Sequence, residues 1–128
     1  MASHYTIDAT HQTVRLMGPI PAALEDWCAT LDAVLADPAY SPGYNFLSDR
    51  RGTRAPPSDA YVLDGIQYLQ DHRSQFEGCR WAIVIDSAGL DAWGRVVTIL
   101  GGSVGIRIAV FTEMDEALRW TTGEEVAR

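Results

Sequence analysis

One short run in the second half of the chain restricts the fold more than any other feature. Trp81-Ala82-Ile83-Val84-Ile85 is apolar at every position. A strand with one face in water alternates apolar and polar residues, whereas a strand covered on both faces has no such alternation. The run therefore predicts the central strand of a sheet that has helices on both faces, as in α/β domains.

The remaining strands and helices are indicated by two different periods. The segment from Tyr5 to Leu16 alternates apolar and polar residues around a Thr-His-Gln turn, which predicts a β-hairpin. Two further strands are predicted at Asn45-Phe46-Leu47 and from Ile106 to Phe111. Apolar residues at three- and four-residue steps predict four helices, which follow Gly18, Ser58, Asp86 and Thr112.

The predicted order of elements is ββαβαβαβα within one domain that covers residues 1–128. A chain of 128 residues is long enough to bury a single core. Helices that alternate with the later strands predict parallel neighbours joined by right-handed crossovers, and the hairpin adds an antiparallel edge. The expected fold class is therefore α/β, with a mixed and mostly parallel sheet and helices packed on it.

The composition argues against several classes of partner. A formal net charge of -7 gives a surface that repels nucleic-acid phosphates and anionic lipid headgroups. The N-terminus has no secretory signal, and no segment is apolar for long enough to span a bilayer. We therefore expect a cytoplasmic protein that binds neither nucleic acid nor membrane.

No catalytic or metal-binding motif is evident in the sequence. The three histidines are scattered, and the two cysteines lack the paired spacing of metal or redox sites. Ser58 and Ser87 could serve a hydrolase, but neither lies in a G-x-S-x-G motif. We expect no enzyme activity, no metal and no cofactor, and hydrolysis at Ser58 or Ser87 stays as the weaker alternative.

The connection between the third strand and the second helix is long and basic. Ten residues, 48–57, separate the two elements, whereas two to six is usual in such units. Arg50, Arg51 and Arg54 lie close to the predicted start of a helix, where they could hold an anion or an acidic partner surface. Ser58 is expected to cap that helix. The alternative is a solvated loop whose arginines are balanced by nearby carboxylates.

Three segments resemble the STAS domain, the fold of bacterial anti-sigma-factor antagonists, and in particular the SpoIIAA-like group related to it. They are WAIVID, AWGRVVTILGGSVGIRIAVF and TEMDEALRW. The resemblance implies a signalling domain that binds a protein partner, with a regulatory serine or threonine near the start of the second helix. Ser58 matches that position, so the resemblance implies phosphorylation there. A homodimer is an open alternative.

Tryptophans on the predicted helices suggest a second function. Trp27 and Trp93 lie on apolar helical stripes, as do Val62 and Ile66, and an underfilled space between them would be an apolar pocket. The SpoIIAA-like group is similar in fold to lipid-carrying SEC14-type domains. The first hypothesis is thus a non-enzymatic regulatory or protein-interaction domain, and the second is a carrier or sensor of a small apolar, lipid-like ligand.

Overall fold

The computed structural model describes residues 4–53, 56–101 and 105–123. The strands are β1 (His4–Asp8), β2 (Thr13–Met17), β3 (Asn45–Asp49), β4 (Arg80–Val84) and β5 (Arg107–Phe111). The helices are α1 (Leu24–Ala36), α2 (Asp59–Asp71), α3 (Arg73–Phe76), α4 (Leu90–Gly101) and α5 (Met114–Thr122). None of the helices in the described ranges is long and apolar enough to cross a bilayer.

The five strands form one sheet in the order in which they occur along the chain. The β1–β2 pair is antiparallel, and the β2–β3, β3–β4 and β4–β5 pairs are parallel. The predicted fold class is therefore confirmed. One detail of the prediction is wrong, because β3 is the middle strand and β4 lies between β3 and β5. The apolar run in β4 still reflects a strand that is buried on both faces.

The order of the strands explains where the helices lie. Each crossover from β2 to β5 moves one strand further along the sheet, and right-handed crossovers in one direction place their helices on one face. Residues of α1, α2 and α4 accordingly share one core cluster, whereas α5 packs in a second cluster. We call these two sides of the sheet the crossover face and the α5 face.

The crossover face is built from aromatic rings. Phe46 of β3 and Trp81 of β4 stack with their ring centroids 4.4 Å apart. Phe76 of α3 lies 5.5 Å from Phe46, and Trp27 of α1 lies 6.4 Å from Trp81. Burial of these large rings supplies much of the hydrophobic stabilisation on this face.

The fully buried side chains of the α5 face are smaller, and the partly buried rings of Phe111 and Trp120 pack against them. Leu47, Ala82, Val84 and Ala117 are fully buried there. Leu47, Ala82 and Val84 occupy strand positions that alternate with Phe46 and Trp81, because successive strand residues point to opposite faces of a sheet. Two side-chain hydrogen bonds also join the sheet to α5. Asn45 Nδ2 and an Arg80 guanidinium nitrogen donate to backbone carbonyls of α5 at 2.7 and 2.6 Å.

The N-terminus of α2 lies where the sequence predicts it, but its C-terminus comes earlier. Ser58 is the N-cap residue, and its Oγ accepts a hydrogen bond from the Tyr61 N–H at 3.2 Å. The apolar pattern after Ser58 predicts a single helix to about Ser74, but α2 ends at Asp71. His72 adopts a non-helical backbone conformation, and the short helix α3 follows it.

Candidate functional site

A cavity of about 70 Å³ lies on the crossover face, between the sheet and helices α1, α2 and α4. Its walls are mostly apolar, and a few polar groups are placed among them. The lining residues combine aromatic and aliphatic side chains with Ser48 and Arg50. The main apolar contributors are Ile20, Trp27, Val62, Leu69, Trp81, Ile83, Trp93, Val96 and Ile108.

Three of the four residues predicted to form an apolar pocket line this cavity. They are Trp27 of α1, Val62 of α2 and Trp93 of α4. Ile66 does not line the cavity and is instead buried in the surrounding core. The structure therefore brings the predicted helices together around a partly open cavity, and Ile66 belongs to the core cluster on the same face.

Gly65 helps to keep this space open. It lies in α2 and lines the cavity, and a Cβ atom built on it would lie 3.6 Å from the indole ring of Trp27. That distance is an ordinary van der Waals contact, so a side chain at this position would enter the space next to Trp27 rather than collide with backbone. The missing side chain thus contributes to the volume of the cavity.

Arg50 is the main correction to the sequence-based site. We expected Arg50 to lie exposed with Arg51 and Arg54, but its side chain is buried, with only 3% of its surface exposed, and it lines the cavity. Its backbone N–H donates to the carbonyl of Val84 at 2.8 Å, which continues the pairing beyond the end of β3. One guanidinium nitrogen donates to the carbonyl of Gly18 at 3.2 Å.

The other polar groups of the cavity wall are hydrogen-bonded to the protein. Trp81 Nε1 donates to Ser48 Oγ at 2.8 Å, and the Tyr61 hydroxyl donates to the Pro21 carbonyl at 2.8 Å. Burial raises the pKa of Tyr61 to about 12, so its hydroxyl keeps its proton at neutral pH. These bonds hold the strand and helix side chains that shape the space.

Arg51 lies on the surface beside the cavity but is already paired. Its guanidinium makes two hydrogen bonds to the Asp49 carboxylate, at 2.9 and 2.7 Å. The hydrogen bond from Arg51 lowers the pKa of Asp49, so the carboxylate is ionised at neutral pH. Arg54, the third arginine of the predicted anion site, lies outside the described residues. In the described part of the loop, the exposed arginine thus forms an ion pair with Asp49 and does not belong to a cluster of cations.

A wider depression lies outside the cavity, beside the loop. Its lining includes Pro19, Pro21, Pro56 and Ser58, and its volume is about 470 Å³. Ile20, Pro57 and Tyr61 line both the depression and the inner cavity. These three side chains therefore form a common boundary of the two spaces.

The serines considered for hydrolysis lie away from any histidine partner. Ser58 is exposed and caps α2, and Ser87 is exposed in the 3₁₀ turn before α4. Within the described ranges no hydrogen bond joins either serine to a histidine, and His72 Nδ1 donates instead to the Tyr68 carbonyl. Over the same ranges, no cluster of three histidine, cysteine or acidic side chains could hold a metal ion.

One sequence signal could have identified the buried arginine. Phe46, Ser48 and Arg50 are spaced by two residues, which is the period of side chains on one face of a strand. Phe46 and Ser48 both contact Trp81 on the crossover face. Extending that alternation by one step predicts Arg50 on the same face, whereas the general preference of arginine for the surface suggested the opposite.

Comparison with known proteins supports the fold. The structure is similar to the crystal structure of an uncharacterised protein of the DUF3478 family from Shewanella loihica PV-4, which has a SpoIIAA-like fold. The TM-score is 0.60, the sequences are 17% identical, and the match covers 94% of each chain. The chain thus has a SpoIIAA-like fold, as the sequence resemblance predicted. No family model and no curated protein matches the sequence.

Proposed function

We propose that this chain is a non-enzymatic sensor or carrier domain that binds a small apolar ligand in the cavity on the crossover face. The observation that carries the proposal is the cavity itself, which lies between three helices and the sheet and is lined by three tryptophans, Trp27, Trp81 and Trp93. Ligand sites are typically concave, mostly apolar and supplied with a few polar groups that orient the ligand.

The size of the cavity limits the ligand. One water needs at least about 10 to 15 Å³ and takes about 30 Å³ in the liquid, so a cavity of about 70 Å³ has room for about two to five waters. A compound of similarly few non-hydrogen atoms fits inside, and a longer one would extend past Tyr61 into the outer depression. The apolar lining favours occupation by hydrocarbon, because burial of apolar surface is the main source of affinity in such a site.

A neutral apolar compound tests this proposal. We expect benzene, added to the purified protein, to change the amide NMR signals of Val62, Gly65 and Val96 in a saturable way. Tryptophan fluorescence should change with the same midpoint, because three of the four tryptophans line the cavity. An absence of saturable change at these positions would contradict the proposal.

Two adjacent residues of α2 provide a matched pair of variants for that experiment. Val62 is buried in the cavity wall, and Leu63, about 100° further around the helix, is exposed. Val62→Phe should fill the cavity and abolish benzene binding, whereas Leu63→Phe should leave it unchanged. Loss of binding in both variants would indicate a general disturbance of α2 and would argue against the cavity as the site.

Regulation of a protein partner is the second candidate, and one observation favours it. Ser58 is exposed at the N-terminus of α2, the position at which the STAS resemblance implies a regulatory phosphorylation. A phosphate there would lie next to the positive end of the helix dipole, where an added negative charge is stabilised. Because Pro57 and Tyr61 flank this residue and line the cavity, ligand and phosphate would act on the same part of the surface.

Capture of a partner from a cell lysate tests the second candidate. Ser58→Asp should change the amount of captured partner, and Ser58→Ala should not. Equal capture by both variants and the unchanged protein would refute the proposed switch at Ser58. Arg51→Glu serves as the control for the loop. It reverses the charge of the one exposed arginine in the described loop segment and leaves the helix cap at Ser58 unchanged.

A further inference from the structure

Ser48 is a polar residue in a mostly apolar wall. It lies in β3, has only 3% of its surface exposed, and lines the cavity. Its partners on the neighbouring strands are Leu16 of β2 and Ile83 of β4, so the adjacent strand positions offer it no polar side chain. Buried polar groups in proteins are normally hydrogen-bonded. Ser48 therefore needs partners for both its oxygen and its proton.

The oxygen of Ser48 has a protein partner. Oγ accepts a hydrogen bond from Trp81 Nε1 at 2.8 Å. A serine hydroxyl has two lone pairs and one proton, so this bond uses one lone pair and leaves the proton to be donated. Within residues 4–53, 56–101 and 105–123, no protein atom accepts a hydrogen bond from that hydroxyl. The bond from the indole thus explains Ser48 as an acceptor but not as a donor.

The cavity can supply the acceptor for this proton. Ser48 lies on the cavity wall, and β3 is paired on both sides, with β2 and with β4. A buried donor without an acceptor loses its interaction with water and gains none in return, which is costly. An occupant of the cavity that places an acceptor atom next to Ser48 Oγ removes this cost. That atom belongs either to a water molecule or to the ligand.

The hydroxyl favours a neutral acceptor. It donates a single hydrogen bond, whereas a buried carboxylate or phosphate needs several donors to offset the loss of its hydration. Arg50, in the same wall, donates to the Gly18 carbonyl and is thus engaged with the protein. The carbonyl oxygen of a ketone, an aldehyde or an ester carries no formal charge and can be satisfied by one donor.

We propose that the ligand is a small neutral carbonyl compound of about five non-hydrogen atoms, whose oxygen accepts a hydrogen bond from the Ser48 hydroxyl and whose hydrocarbon part lies between Trp27 and Trp93. This inference rests on the proposed ligand-binding function and specifies the class of ligand. It assigns Ser48 to ligand recognition in addition to its bond with Trp81.

Butanone and its isosteric alkene, in which a methylene group replaces the carbonyl oxygen, test the proposal on the unaltered protein. The two compounds have equal numbers of non-hydrogen atoms and similar shape, but only butanone can accept a hydrogen bond. Donation by the Ser48 hydroxyl makes its oxygen a better acceptor for Trp81 Nε1, because linked hydrogen bonds polarise one another. The NMR signal of the Trp81 indole proton should therefore move further downfield with butanone than with the alkene, in a saturable way. Equal movement with both compounds, or a larger one with the alkene, would overturn the assignment.

Two variants separate the hydroxyl from the indole. Trp81→Phe removes the indole N–H and keeps the Ser48 hydroxyl, whereas Trp81→Phe combined with Ser48→Ala removes both donors. Ser48→Ala alone would free the indole N–H to donate to the carbonyl, so it is a weaker test. The affinity for butanone relative to the alkene should stay the same in Trp81→Phe and fall at least about fivefold in the combined variant. An equal ratio in the two variants, or a ratio already lost in Trp81→Phe, would refute the role of Ser48.

The result remains decisive if the variants do not fold. The comparison of butanone with its alkene on the unaltered protein, read from the Trp81 indole signal, then decides the question. Failure of this inference is also distinguishable from failure of the proposed function. Saturable benzene binding without a specific response to butanone would refute the carbonyl compound alone, whereas failure of every compound to bind would refute both.

Discussion

The two faces of the sheet are covered by helices, but their fully buried side chains differ in size. On the α5 face, small residues such as Ala82 of the sheet and Ala117 of α5 are fully buried between the sheet and one helix. On the crossover face, large rings such as Phe46 and Trp81 fill the space under three helices, and a cavity remains between them. Protein interiors are normally close-packed with few voids, so a cavity among these rings is an exception to the usual packing.

The largest expected effect comes from removing a ring on the crossover face. Phe46 is fully buried and stacks on Trp81 at 4.4 Å, so Phe46→Ala should lower the free energy of unfolding by about 3 to 5 kcal/mol. Chemical denaturation measures this change. A loss below about 2 kcal/mol would mean that the existing cavity lets the rings collapse together, and that the crossover face is less rigid than its aromatic contacts suggest.

Much of this architecture could be predicted from the sequence, because period and run length report burial directly. The apolar run Trp81 to Ile85 and the hairpin pattern gave the correct strands, and the helix–strand alternation gave the parallel pairing. The distinction between the two faces is also encoded, since Phe46 and Leu47 are neighbours that point to opposite sides. Local sequence patterns are enough to predict burial when a residue's burial depends only on its position within its own strand or helix.

The site was only partly predictable, because a cavity depends on residues that are distant in sequence. Trp27, Val62 and Trp93 were expected around a pocket, and they line one. The contribution of Arg50 was missed because arginine generally prefers the surface, and here tertiary structure overrides that preference. Gly65 was missed because the volume left by an absent side chain is defined by its neighbours, here the ring of Trp27.

The second prediction enlarges a side chain on the α5 face. Ala117 is fully buried between α5 and the sheet, so Ala117→Leu should overpack this face and lower stability by about 1 to 3 kcal/mol. Glu116→Leu, at the exposed neighbouring position, should change stability by less than about 0.5 kcal/mol. If thermal and chemical denaturation find Ala117→Leu as stable as the unchanged protein, the α5 face also contains free space and the proposed contrast is wrong.

The third prediction compares the caps of the helices that cover the two faces. Ser58 Oγ accepts a hydrogen bond at the start of α2, whereas Glu113, the N-cap residue of α5, makes no side-chain capping bond. Ser58→Ala should therefore cost about 1 kcal/mol, and Glu113→Ala should cost less than about 0.5 kcal/mol. Equal losses in denaturation experiments would show that the capping bond at Ser58 contributes nothing particular to α2.

The last prediction adds a single methyl group to each of two helical glycines. Gly65 in α2 faces the cavity, where a Cβ would lie 3.6 Å from Trp27, while a Cβ on Gly94 in α4 would have no neighbour within 4 Å. Alanine restricts the unfolded chain more than glycine does, so each substitution should raise the free energy of unfolding by about 0.5 to 1 kcal/mol. Gly65→Ala should additionally weaken the binding of benzene, because its methyl group occupies part of the cavity.

The two variants separate the effect of helix propensity from the effect of filling the cavity. Gly94→Ala raises the helix propensity without placing a methyl group in the cavity. Similar stabilisation of both variants, with weaker ligand binding in Gly65→Ala alone, would locate free volume beside Trp27. Destabilisation by Gly65→Ala would show that the crossover face is packed as tightly at this point as the α5 face is at Ala117. The space next to Trp27 would then be too small for a ligand, and the difference between the two faces would reduce to the size of their side chains.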